Sequence, residues 1–183
     1  KSSNISPADI YVNQWALIIG INQYKDFRQL NYAVNDAKSI QVTLMTQFGF
    51  PENNITLLMD EDATKSNIEN AFFNLAEKTQ INDAVLIFFA GHGVTRKNPG
   101  GNEDLGYLIP VDGKAGNLTR TTLSMTSIKT FSNEIPAKSI LFLVSNLDSS
   151  PKHSKLGNFG QKTGNTKLQR VAERSTRSRR SKG

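Results

Sequence analysis

A chain of 183 residues is long enough for one domain with a sizeable core and short for two. Its 37% hydrophobic and 8% aromatic content is lean, so part of it is not core-forming, and the lack of any cysteine excludes disulfides and thiolate metal sites. The net charge of +6 has one source: residues 151–183 carry ten Lys or Arg against Glu173 alone, a balance of +9, while the first 150 residues balance at −3.

No apolar run approaches the roughly 20 residues that span a bilayer. The opening stretch KSSNISPADIYVNQ is polar and shows no secretory leader. The expectation is a cytoplasmic protein with no membrane partner. Because the first residue is Lys1, we also expect a processed or trimmed piece.

In chain order, WALIIGI (Trp15 to Ile21) is a short continuous apolar run that suits a strand buried on both faces. Ala33, Ala37, Ile40, Leu44 and Phe48 then recur at three or four residues, the stripe of an amphipathic helix closed by Gly49 and followed by Pro51. ITLLMD, Ile55 to Asp60, reads as a second strand. A second helix turns Ile68, Phe72, Leu75 and Ala76 inward behind a cap at Thr64 or Ser66. AVLIFFA, residues 84–90, is a third strand. Gly106 to Asp112 is a short extended segment in which Pro110 argues for an edge position. A short helix over Met125 to Phe131 and a fourth core strand, Ser139 to Val144, complete the set.

Strands alternating with helices predict an α/β fold, a three-layer αβα sandwich around a mainly parallel sheet. Chemistry in such sheets gathers at the carboxyl ends of the strands, here Asn22, Asp60, Gly91-His92-Gly93 and Ser145-Asn146-Leu147-Asp148. The chain divides into an N-terminal extension, 1–13, a domain, 14–150, and a basic flexible linker or tail, 151–183, rich in Ser, Thr, Gly, Lys and Arg.

WALIIGINQY, LNYAVNDAKSI, VLIFFAGHG, GYLIPVDG and AKSILFLV occur here in the order and spacing of the caspase-like cysteine peptidases, which include caspases, metacaspases and orthocaspases. The resemblance covers roughly residues 14 to 150. It implies a sheet of the caspase-hemoglobinase type and a dyad in which His92 polarises a cysteine at the end of the fourth strand. The backbone N–H of Gly93 would then help hold the oxyanion. Cysteine suits that role because its thiol loses a proton near neutral pH, more so beside an imidazole.

The family pattern after that strand resembles Asp-Ala-Cys-Tyr-Ser-Gly, whereas this chain reads Ser145, Asn146, Leu147, Asp148, Ser149, Ser150. Leu147 falls in the nucleophile's place, and Ser145 stands where relatives keep an acid of a basic-residue pocket. Asp36 matches the other pocket acid, although an acid in a helix's first turn is also favoured by the macrodipole. Ser145, Ser149 or Ser150 could in principle act as an oxygen nucleophile, but a hydroxyl needs a strong, well-aligned base and its position here is shifted. His92 itself could simply cap its strand by bonding backbone.

No cofactor and no metal are expected. Calcium is the one candidate, through Glu61, Asp62, Glu103 and Asp104, but these lack the spacing of a loop supplying six to eight oxygens. The chain ends near where a small-subunit segment begins in relatives, so its strands are expected to be missing. That predicts an exposed sheet edge covered by a small-subunit segment or a homologous chain.

Three functions follow. The first is an inactive caspase/metacaspase-like domain, a pseudo-peptidase or regulatory partner binding peptides or proteins with a basic residue. The second is an Arg/Lys-specific cysteine endopeptidase whose sequence is altered or truncated here. The third and weakest is nucleic-acid binding through the basic tail, which lacks aromatic interleaving and makes a nucleic-acid partner unlikely.

Overall fold

The computed structural model describes residues 11–97, 100 and 104–145 in full, and the backbone of 167–173. Four strands run parallel: β1 (Gln14–Gly20), β2 (Ile55–Met59), β3 (Ala84–Ala90) and β7 (Ser139–Ser145). Their spatial order is β2-β1-β3-β7, and β8 (Lys167–Glu173) closes the row antiparallel to β7. β1 and β3 are central strands buried on both faces, which is why WALIIG and VLIFFA are continuous apolar runs. Leu17, Ile18, Ile87 and Phe89 are all within 1% of full burial.

Three longer helices cover the sheet: α1 (Ala33–Gln47), α2 (Lys65–Lys78) and α4 (Met125–Glu134). The chain moves outward from β1 to β2 through α1 and back across to β3 through α2. Two right-handed crossovers in opposite directions place α1 and α2 on opposite faces, giving the three layers. α1 lies close on β1 because Gly20 has no side chain. A Cβ there would meet Ala37 Cβ at 2.6 Å and Ala33 O at 2.7 Å. Gly49, at φ 72°, ends α1 in the left-handed conformation that glycine adopts freely. Thr64 caps α2 by accepting the Asn67 N–H at 3.2 Å, and Phe131 of α4 stacks on Phe72 of α2 at 5.5 Å.

Two expectations need correction. The segment holding Pro110 is not an edge strand of the main sheet. β5 (Leu105–Leu108) is the middle strand of a separate antiparallel sheet, between β4 (Gly93–Arg96) and β6 (Leu123–Ser124). Pro110 lies beyond the strand's end, where its missing N–H removes no ladder bond. Residues 151–183 are also not structureless throughout, since β8 pairs with the free edge of β7. Neither β4, β6, β8 nor the one-turn α3 (Leu118–Thr121) has a strong apolar period of its own.

Candidate active site

The carboxyl ends of the parallel strands meet in one polar cluster. Ala90 is in register with both Gly20 of β1 and Ser145 of β7, so the Gly-His-Gly turn leaves the sheet between the exits of its two neighbours. The Gly91 N–H reaches back to Ser145 O at 3.3 Å.

His92 is 7% exposed. Its Nε2 lies 2.6 Å from the backbone oxygen of Arg28 in the loop after β1. A carbonyl oxygen can only accept, so this bond puts the ring proton on Nε2, and the neutral imidazole then carries its lone pair on Nδ1. The imidazole packs against the rings of Tyr24, at 4.7 Å, and Phe27, at 6.2 Å. Bonding to backbone, expected of a strand-capping histidine, is therefore present, but the carbonyl belongs to a distant loop.

That loop is pinned from two sides. Asp60, at the end of β2 with φ 41°, accepts the N–H groups of Asn22 and Gln23 through Oδ1 at 2.7 and 2.9 Å. Asn22 O accepts the N–H of Leu30 at 2.9 Å, and Asn22 Oδ1 accepts that of Val34 at 3.4 Å, tying the loop to the start of α1.

Gly93 opens β4 opposite Leu108. The Ile109 N–H donates to His92 O at 3.0 Å, which makes Gly93–Leu108 a pair whose own amides point away from the ladder. The Gly93 N–H is thus turned away from β5 at an exposed position. Asp36 is half-buried in the first turn of α1, at this same end of the sheet, and Ser145 is half-buried at the end of β7. Leu147, with Asp148, Ser149 and Ser150, lies outside the described residues.

Of the four calcium candidates, Glu61 and Asp62 sit on the turn after β2, Asp104 immediately precedes β5, and Glu103 lies outside the described residues. Among the described residues no three His, Asp or Glu side chains gather as a metal-binding group. A cavity of about 810 Å³ opens around the turn after β2, lined by Met59, Asp60, Glu61, Asp112, Lys25 and Lys114 among others. His92, Gly93, Asp36 and Ser145 do not line it, and its five acids, Asp26, Asp60, Glu61, Asp62 and Asp112, outnumber its lysines, Lys25 and Lys114.

Residues 13–176 match the family model described as Caspase domain. The chain belongs to the caspase-domain family. Within this family it is similar to metacaspases: 36% identical over 106 residues to Metacaspase-1A of Aspergillus oryzae, a match covering 53% of this chain and 25% of that protein. It is 33% identical over 124 residues to Metacaspase-1A of Neurospora crassa, covering 62% of this chain and 27% of the relative. Metacaspase-6 of Arabidopsis thaliana is 33% identical over 106 residues, covering 53% and 29%. The matched region of this caspase-domain chain therefore spans between a quarter and three tenths of these relatives. In fold it resembles the crystal structure of GSU0716 from Geobacter sulfurreducens, with TM-score 0.57, 19% identity, and coverage of 73% of this chain and 49% of the other.

The sequence pointed to His92 and the strand ends, Asp60 among them, but not to Tyr24 or Arg28 as parts of the site. Tyr24 stands visibly in INQY. The Arg28 contribution is a backbone oxygen, which any residue supplies and no side chain advertises.

Proposed function

We propose that this caspase domain is catalytically inert as a peptidase and works as a pseudo-peptidase, a binding or regulatory partner for basic peptides or for homologous chains. His92 occupies the dyad histidine's place, the Gly93 N–H that of an oxyanion donor, and Leu147 that of the nucleophile. The carrying observation is that the 183 residues contain no cysteine, while His92 is held with its Nε2 on a backbone carbonyl. Losing the nucleophile of a serine-protease triad costs on the order of 10⁶ in turnover. The site for a basic side chain is half-built, with Asp36 as its carboxylate and a neutral Ser145 in place of a second acid. A carboxylate offers guanidinium a two-point contact that a serine hydroxyl cannot match. A cytoplasmic setting belongs to this reading.

The test is incubation of the purified chain with reporter peptides ending in Arg or Lys. No turnover is expected, and turnover that disappears in His92→Ala would overturn the inert reading. The retained imidazole clamp favours a second reading, an Arg/Lys-specific cysteine endopeptidase whose sequence is altered or truncated here. On that reading Leu147→Cys with Ser145→Asp recovers cleavage after Arg or Lys. A folded but inert double variant counts against it.

A further inference from the structure

The first glycine of Gly91-His92-Gly93 has no role in either reading, and the space it leaves is taken. A Cβ on Gly91 would lie 2.5 Å from the Tyr24 hydroxyl and 3.0 Å from the Phe89 ring. Tyr24 is 3% exposed, yet its hydroxyl is satisfied on both sides. It accepts the backbone N–H of His92 at 3.0 Å and donates to Ile109 O at 3.1 Å. One phenol thus joins three loops, those after β1, β3 and β5.

Four residues on from Tyr24, the same loop supplies the Arg28 carbonyl that receives the imidazole Nε2–H. His92 is therefore gripped at its backbone and its ring by one segment, with the Tyr24 ring 4.7 Å from the imidazole between the two grips. We propose that Tyr24 is the positioning residue of this site: by anchoring the His92 amide it aims the imidazole at Arg28 O and so selects the tautomer with its lone pair on Nδ1. The catalytic meaning rests on His92 being the dyad histidine, but the choice of tautomer does not. Burial pushes the Tyr24 phenol well above the ordinary tyrosine value, against the bond from the His92 N–H and with a further push from Asp60. The hydroxyl thereby stays protonated and able to donate to Ile109 at any ordinary pH.

The measurement is ring-nitrogen NMR on the full chain with ¹⁵N-labelled histidine, which carries only two histidines, His92 and His153. With the imidazole neutral, the native protein is expected to show the proton on Nε2. Tyr24→Phe keeps the ring and removes the hydroxyl. It should lower the ratio of the Nε2–H to the Nδ1–H form about fivefold, the equilibrium worth of one intramolecular hydrogen bond. Gly91→Ala, which pushes the hydroxyl away, should do the same. Asn54→Ala, which removes a bond to Gln14 O at the amino end of the sheet, should leave the ring shifts unmoved.

Native ring shifts in a folded Tyr24→Phe protein would overturn the proposal. Should neither variant fold, 3-fluorotyrosine at all four tyrosines retains the shape and weakens the phenol oxygen as an acceptor. The His92 amide proton must then move, and a stationary amide also overturns the proposal. A Leu147→Cys protein that never cleaves leaves these outcomes untouched and bears only on the enzymatic reading.

Discussion

The two ends of the parallel sheet use the same hydrogen-bonding groups for opposite purposes. At the amino end the fully buried Asp83 accepts four bonds: Asn13 N and Nδ2 on Oδ1, Trp15 Nε1 and Gln80 N on Oδ2, all within 2.9 to 3.0 Å. Its carbonyl takes a fifth from Lys138 N at 2.9 Å. This knot joins the starts of β1, β3 and β7, and both carboxylate oxygens are filled. At the carboxyl end, the bonds from Asp60, Asn22 and Tyr24 fix loops around His92. There backbone carbonyls and N–H groups are used to orient one side chain. Saturated partners at one end hold strands together, and directional partners at the other present a group.

The sharpest way to break this contrast is Asp83→Ala, which leaves four donors without their carboxylate. It should cost about 3 kcal/mol or more in denaturant unfolding, with the His92 ring shifts unchanged in the folded fraction. A local effect on His92 would show that the two ends are not independent. Gly20→Ala comes next. The new methyl meets Ala37 and the Ala33 carbonyl, and separating α1 from β1 should cost about 1–3 kcal/mol by the same measurement.

At the site end, Asp60→Ala removes the acceptor for two backbone N–H groups and should cost about 1–2 kcal/mol. Asp60→Asn, which keeps Oδ1 and tolerates positive φ, should lose much less. A comparable loss in both would show that charge, not the acceptor, holds the loop.

The raised Tyr24 phenol gives a pH expectation. Unfolded tyrosine begins to lose its proton near pH 10 while the buried one does not, so the unfolded state binds fewer protons. Stability is full below that pH and falls as pH rises above it. Tyr24→Phe should show a shallower decline in unfolding free energy across the alkaline range. The smallest effect is expected from Thr64→Ala, about 1 kcal/mol from a lost helix cap.

Much of the domain was legible because its signals are local. Period and apolar runs place β1, α1, β2, α2, β3, α4 and β7 to within a few residues, since a strand buried on both faces and a helix buried on one leave different traces in a single segment. His92 was legible for a similar reason, between glycines at the end of such a run. Pro110 misled because its edge preference was applied to a strand that stops before it. β8 was hidden in a basic, Ser- and Gly-rich stretch because pairing to β7 is a long-range event with little local pattern.

By itself, the sequence determined the α/β class, the order of the core elements, the family and the lack of any thiol in the chain. Tertiary structure alone decided which carbonyl receives the imidazole proton, why Gly91 must be bare and what Tyr24 and Asp60 do. Each of those depends on groups from separate loops meeting within about 3 Å, the range over which a hydrogen bond acts, and distance in space is not written in neighbouring letters.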